Sequence, residues 1–232
     1  MLEKLKADVC QANLRLVAEG LVIQTWGNAS AVDRQRGVMV IKPSGVSYSE
    51  MRPGHMVCVS LATGQVVEGK LKPSSDTATH LVLYRAFAGI GGVVHTHSLL
   101  ATAWAQACQP LVAYGTTQAD YWYGDVPCTR KLTAAEINRD YEVNTGEVIV
   151  ETFKQLKFDP LHHPAVLVAS HGPFTWGRDV QDAVHNAGVL EFIAKLNSET
   201  LRINPKLKRM QGVLLDKHFL RKHGPGAYYG QK

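Results

Sequence analysis

The sequence predicts an α/β protein, an α/β/α sandwich whose central, largely antiparallel sheet is covered by helices. Three observations carry this. The 232 residues are 45% apolar, enough to bury one full core. Strand-like runs arrive in groups joined by turn signals, as hairpins require, with no strict strand–helix–strand alternation of the kind that builds a parallel sheet. Long segments with apolar residues at helical spacing lie around them. The chain reads as one catalytic domain over residues 1–232, without repeats or low-complexity linkers.

Leu2, Leu5, Val9, Ala12 and Leu16 recur at helical spacing, so residues 2–17 open the chain as an amphipathic helix. Val38–Ile41 and Met56–Val59 are strand-like, and Thr63-Gly64 is a turn signal before Gln65-Val-Val67. After Pro73-Ser-Ser75, residues 76–87 read as a helix, because serine or aspartate at its start can cap the free amides. The apolar run from Ile90 to His97 follows as a strand, and residues 98–107 as another helix. Thr133-Ala-Ala-Glu136 matches a capping box opening a further helix, and Val148, Ile149, Thr152, Phe153 and Leu156 mark one after it. Ala165–Ser170 is a buried strand ending in His171. Residues 180–196 form a long helix with Val180, Val184, Ala187 and Leu190 inward, and a last helix runs near 206–222.

Composition excludes several classes. Cys10, Cys58, Cys108 and Cys128 are scattered without Cys-x-x-Cys spacing, which argues against a disulfide framework or a thiolate zinc site and for a reducing, cytoplasmic setting. The first residues mix charges and lack the apolar stretch of a secretory signal or membrane span. The net charge of +5 is dispersed, and the basic clusters Lys206–Arg209 and Arg221–His223 read as solvated helix faces, not as a nucleic-acid surface. A small phosphorylated substrate suits such a protein.

The densest chemical signal is His95-Thr-His97, because side chains two apart on a strand point the same way. With Asp76 upstream and His171 at the end of another strand, three imidazoles and a carboxylate form a ligand set suited to zinc or a similar divalent ion. Each histidine taken alone is as readily a hydrogen-bonded core or surface residue. Lys42-Pro-Ser-Gly45 and Ser74-Ser75 offer hydroxyls and backbone amides that suit a phosphate, though an ordinary turn and a capped helix have the same composition. Trp26-Gly27-Asn28 is first of all a loop signal.

Taken together, Thr25-Trp-Gly-Asn-Ala-Ser30, Ile41-Lys-Pro-Ser-Gly45, Lys72-Pro-Ser-Ser-Asp76, His95-Thr-His97, Ala119-Asp-Tyr121, Ser170-His-Gly-Pro-Phe174, Arg221-Lys-His-Gly-Pro225 and Ala227-Tyr-Tyr-Gly-Gln231 resemble the pentose-phosphate 4-epimerases of the class II aldolase and adducin family. The resemblance spans essentially the whole chain. It implies Zn2+, with Mn2+ or Co2+ as alternative occupants, held by Asp76, His95, His97 and His171. It implies substrate contacts at Gly27, Asn28, Ser44, Gly45, Ser74 and Ser75, and Asp120 and Tyr229 as the acid/base pair. Two further candidates stand beside that set: Lys42, placed to reach the phosphate, and His218, on the last helix near the tail, to support Tyr229.

The resemblance also implies a homotetramer with active sites at subunit interfaces, the tail 223–232 bringing Tyr229 to a neighbour. The implied activity interconverts L-ribulose 5-phosphate and D-xylulose 5-phosphate by retroaldol cleavage and re-addition. The alternatives are an aldolase of the same family acting on a related sugar phosphate, and a noncatalytic assembly module like the adducin head. The chain departs from the epimerase pattern at Gln118 and Leu100, where histidines are common. Gln118 can hydrogen-bond but cannot titrate.

Overall fold

The structure is a computed structural model and describes residues 2–229. It begins with helix α1 (Leu2–Ala18), followed by strands β1 (Asn28–Asp33), β2 (Val38–Ile41), β3 (Val57–Ser60) and β4 (Val66–Glu68). Helix α2 (Thr77–Ala86), strand β5 (Gly92–His95), helix α3 (Leu99–Gln106), the one-turn α4 (Thr116–Ala119) and the long α5 (Ala134–Leu156) come next. Strands β6 (Ala165–Leu167) and β7 (Pro173–Gly177) precede α6 (Val180–Ile203) and α7 (Gly212–His223). Among the described residues no helix is long and apolar enough to cross a membrane.

The strands form one seven-stranded sheet in the order β4-β3-β2-β1-β5-β7-β6, and every neighbouring pair is antiparallel. Alternation along the strands sorts their side chains into two cores. Val40, Cys58 and Val94 pack with Val9, Leu16, Val180 and Val184 of α1 and α6 on one face. Met39, Ile41, Val57, Val59 and Val93 pack with Leu83, Ile149 and Phe153 of α2 and α5 on the other. Apart from the exposed edge strand β4, the sheet is therefore covered on both sides, which is the sandwich expected from the sequence. Gly92 makes the covering close: a Cβ there would lie 2.4 Å from Val180 Cα, so α6 starts directly against the backbone of β5.

Several elements differ from the sequence reading. The central strand β1 is not predicted by it, because Asn-Ala-Ser-Ala carries neither β-branched nor large apolar residues. It is held instead by polar stitching, with the Ala29 amide donating to Asn13 Oδ1 at 2.9 Å and Asn13 Nδ2 donating to the Ala29 carbonyl at 3.0 Å. The expected strand 165–170 stops at Leu167, and the chain turns back into the unexpected strand β7, so His171 lies in the hairpin connection. The helix opened at Thr133 and the one marked by Val148 to Leu156 are one element, α5, bent at Asp140, whose φ of −136° and ψ of 69° are not helical. The last helix begins at Gly212, six residues later than expected, after an irregular stretch from Asn204. Residues 230–232 of the expected interfacial tail lie outside the described residues.

Candidate metal centre and substrate cleft

His95 is the last residue of β5, and His97 lies just past its end in the link to α3. The β6–β7 hairpin brings His171 against both, with ring centroids 4.7 Å from His95 and 5.2 Å from His97. The three imidazoles offer ligand nitrogens that all lie within 4.8 Å of one another. The Pro173 carbonyl, 2.9 Å from His95 Nδ1, can only accept, so it leaves His95 Nε2 for a ligand role. His171 Nδ1 lies 3.2 Å from the Tyr141 hydroxyl, which can donate or accept, and the contact leaves the Nε2 side of the ring open.

The donor set fits a divalent cation. His95 Nε2 and His97 Nε2 stand 3.1 Å apart. Two nitrogens bound to one tetrahedral ion at about 2.0–2.1 Å would stand about 3.3 Å apart. Two unprotonated nitrogens at such a distance repel one another, and a cation between them removes the repulsion. Burial favours the neutral form that ligation requires. It is the first cause lowering the pKa of His97 and of His171, the latter to about 3, with the neighbouring imidazoles adding to it.

Asp76 stands at the start of α2 but makes no side-chain cap. The Ser74 carbonyl accepts both the amide and the hydroxyl of Thr77, and the Asp76 carboxylate faces the histidines' cleft, where Asn28 Nδ2 donates to its Oδ2 at 2.6 Å. Burial alone would raise this carboxyl, but His95, His80, the Asn28 bond and His171 outweigh it and leave the pKa below the ordinary aspartate value. Beneath it, fully buried His80 has Nδ1 2.7 Å from Ser30 Oγ, and burial pushes its pKa down to about 3.

The histidines line a cleft of about 350 Å³. The two Lys-Pro-Ser segments line it as well, and they pair with one another. Pro43 and Pro73 form an antiparallel bridge, the Ser74 amide donates to the Lys42 carbonyl at 3.0 Å, and the Ser44 amide donates to the Lys72 carbonyl at 2.8 Å. This pairing sets Ser44, Gly45, Ser74 and Ser75 together on the cleft wall. Lys42 is only 2% exposed; its Nζ donates to the Thr25 carbonyl at 3.1 Å, and burial lowers its pKa although Asp76 opposes the shift. Gly27 and Asn28 complete the wall. A Cβ on Gly27 would meet Val22 Cγ1 at 2.7 Å and the His95 carbonyl at 3.0 Å, and its φ of +76° also favours glycine. Asn28 Oδ1 is buried and has no hydrogen-bond partner among the described residues.

Asp120 and Tyr229 do not line this cleft within the one chain. They form a second cluster against α7, Asp120 from the end of α4 and Tyr229 from beyond the end of α7. Asp120 accepts from Arg221 at 2.9 and 3.0 Å, lies 3.0 Å from His218 Nδ1 and 3.5 Å from Lys222 Nζ. The Tyr229 ring stacks on the same two cations, 4.5 Å from the Arg221 guanidinium and 5.0 Å from Lys222 Nζ. Burial would raise the Asp120 carboxyl, but His218, Arg221 and Lys222 outweigh it and hold the pKa below the ordinary value. Tyr229 is 57% exposed.

A model of the family described as Class II Aldolase and Adducin N-terminal domain matches residues 7–198. The chain belongs to this family. Among solved structures, an L-fuculose 1-phosphate aldolase is 25% identical, with a TM-score of 0.77, over 93% of this chain and 94% of that one. YgbL from Klebsiella pneumoniae is 24% identical at a TM-score of 0.72, over 92% and 97% of the two chains. The L-fuculose-1-phosphate aldolase from Thermus thermophilus is 23% identical at a TM-score of 0.67, over 89% and 98%. The last two likenesses are of the fold. Class II aldolases generally depend on a divalent metal, and the histidine triad is where this member has the ligands for one.

Sequence reasoning missed two cleft residues of this class II aldolase-family chain, Tyr141 and Glu142. No motif marks them, and a continuous helical register hides them because α5 bends one residue earlier. The departures from the epimerase pattern have structural roles. Gln118 is buried and donates to the Leu111 carbonyl at 3.1 Å and the Gly124 carbonyl at 2.9 Å, bracing the loop that carries Asp120. The Leu100 side chain packs against the apolar cluster that includes Ala101, Leu111 and Trp122. Its backbone amide, with that of Ala101, donates to Glu191, which caps the start of α3 that Ser98 leaves uncapped.

Proposed function

We propose that this class II aldolase-family protein is a zinc-dependent L-ribulose-5-phosphate 4-epimerase. The observation that carries the reading is one cleft lined both by the histidine triad with Asp76 and by the paired serine-bearing segments. Metal ligands and anion-binding groups on one cleft suit a phosphorylated ketose.

Inverting carbon 4, which is not adjacent to the carbonyl, by removing its proton would leave an unstabilised carbanion. The bond between carbons 3 and 4 breaks instead. The carbon 4 hydroxyl loses its proton and becomes the aldehyde of glycolaldehyde phosphate, and the electron pair left on carbon 3 delocalises into the neighbouring carbonyl. Rotation of the aldehyde and re-addition to its other face, with return of a proton to the oxygen, gives the epimer. When bound by His95, His97 and His171 with Asp76, a divalent ion such as Zn2+ supplies Lewis acidity toward the ketose oxygens.

The remaining work falls to side chains. Ser44, Ser74, Ser75 and the backbone at Gly45 receive the phosphate, with the Lys42 ammonium beside them. Asn28 Oδ1, otherwise unpaired and buried, accepts from a substrate hydroxyl. Asp120 and Tyr229 exchange the proton of the carbon 4 oxygen, one on each face, and reach the cleft from a neighbouring copy in a homotetramer. The four free thiols suit a reducing cytoplasm.

The likeness to an L-fuculose 1-phosphate aldolase supports a second reading, an aldolase acting on a related sugar phosphate. Incubation with L-ribulose 5-phosphate separates the two. The epimerase forms D-xylulose 5-phosphate, stops on chelation and restarts with zinc. Net release of an aldehyde favours the aldolase, and a protein that binds no divalent ion favours an adducin-like assembly role.

A further inference from the structure

We propose that Tyr141 is a positioning residue that orients His171 toward the metal, and that the bend in α5 exists to place it. The inference rests on the metal-site reading above. His171 lies in a hairpin connection, not in a strand, and Ser170 before it has a left-handed φ of 62°. The backbone there therefore leaves ring orientation to be set by contacts. His95 gets this from a backbone carbonyl of its own sheet. For His171 the partner is the Tyr141 hydroxyl, 3.2 Å from Nδ1, which as acceptor keeps the proton on Nδ1 and Nε2 free for a ligand role.

Three features bring that hydroxyl to its place. Asp140 leaves helical geometry, so Tyr141 is the first residue after the bend. Arg130 straddles the bend, donating to Glu136 before it at 2.8 and 2.9 Å and to Glu151 beyond it at 2.7 and 3.1 Å. The turn after the bend is fastened to α2, where Thr79 Oγ1 donates to the Glu142 carbonyl at 2.6 Å and Val82 lies so close that a Cβ on Gly146 would approach it to 2.6 Å. Thr145 Oγ1 donates to the Tyr141 carbonyl at 2.9 Å, holding the same turn from within.

Tyr141→Phe keeps the ring and removes only the acceptor, so it separates positioning from packing. Zn2+ affinity is measured by chelator competition on parent and variant, with metal-free melting temperature and the imidazole nitrogen NMR signals of His171 as controls. The expected result is a loss of about tenfold or more in Zn2+ affinity, with an unchanged metal-free melting temperature and loss of the fixed Nδ1–H signal. Unchanged affinity overturns the proposal, as does a fall in kcat at saturating metal with affinity intact, which would place Tyr141 on the substrate. A parent protein that binds no divalent ion overturns the metal-site reading itself, a result distinct from either. Arg130→Gln, remote from the cleft, gives a smaller loss in the same direction if the bend is what places the hydroxyl, and no loss overturns that half of the proposal.

Discussion

His95 Nε2 and His97 Nε2 face one another at 3.1 Å, with the Nδ1 of His95 held by the Pro173 carbonyl behind it. Two residues apart in sequence, they meet just where β5 ends, His95 being its last residue and His97 lying in the link to α3. The pair requires a proton or a cation to be comfortable, and His171 supplies a third nitrogen to the same point.

Binding of a divalent ion to this triad stabilises the folded chain by mass action. Zn2+ at about 100 times its dissociation constant adds about 2.7 kcal/mol. Thermal melts with and without chelator are expected to differ by several degrees for the parent and to coincide for His97→Ala. Equal shifts in both would place the metal elsewhere.

Metal-free protein is expected to lose stability as pH falls below neutrality. Burial pushes the folded pKa of His80 and of His171 down to about 3, while an unfolded histidine titrates near about 6.5. Between those values the unfolded chain binds more protons, so stability is fully present above the unfolded value. It falls by up to about 1.4 kcal/mol per pH unit for each group as pH drops toward the folded value. Denaturant unfolding from pH 7 to pH 4 measures the slope, and His80→Gln is expected to flatten it.

Much of this site is legible in the sequence because its ligands sit at places with strong local signals. His95 closes an apolar run, and Ser74 and Ser75 precede a helix whose start is marked. The central strand β1 is not legible, since Ala29 and Ala31 are small to let α1 approach and Asn28 and Ser30 serve buried hydrogen bonds; composition there resembles a loop. Tyr141 is hidden for a different reason. A bend held by Arg130, Glu136 and Glu151 is a tertiary property, and the capping box at Thr133 and the apolar spacing after Val148 each look like a complete helix. The pairing of the two Lys-Pro-Ser segments is likewise long-range, joining residues about thirty apart.

Lys42 is expected to act on the phosphate and not on the bond-breaking step. Lys42→Met should raise KM about tenfold, or about 1.4 kcal/mol of uniform binding, with kcat nearly unchanged. Steady-state kinetics separate the two constants, and an unchanged KM with a fallen kcat would assign Lys42 to proton transfer.

Tyr229→Phe and Asp120→Asn should each lower epimerisation by about 10²–10⁴-fold while leaving Zn2+ affinity unchanged, because neither lines the histidine cleft of its own chain. Chelator competition alongside the kinetic assay checks both halves. Full activity in Tyr229→Phe would remove the tyrosine from the mechanism.

The central claim is that the metal cleft of one copy and the Asp120–Tyr229 cluster of its neighbour make one active site. Mixing His97→Ala with Tyr229→Phe protein, after dissociation and reassembly, tests it directly by measuring conversion of L-ribulose 5-phosphate to D-xylulose 5-phosphate. Random assembly around a ring joins an intact cleft to an intact tail at about a quarter of the sites. Recovery of roughly that share of parent activity from two nearly inactive proteins is expected, and a mixture no more active than its components would overturn the shared site.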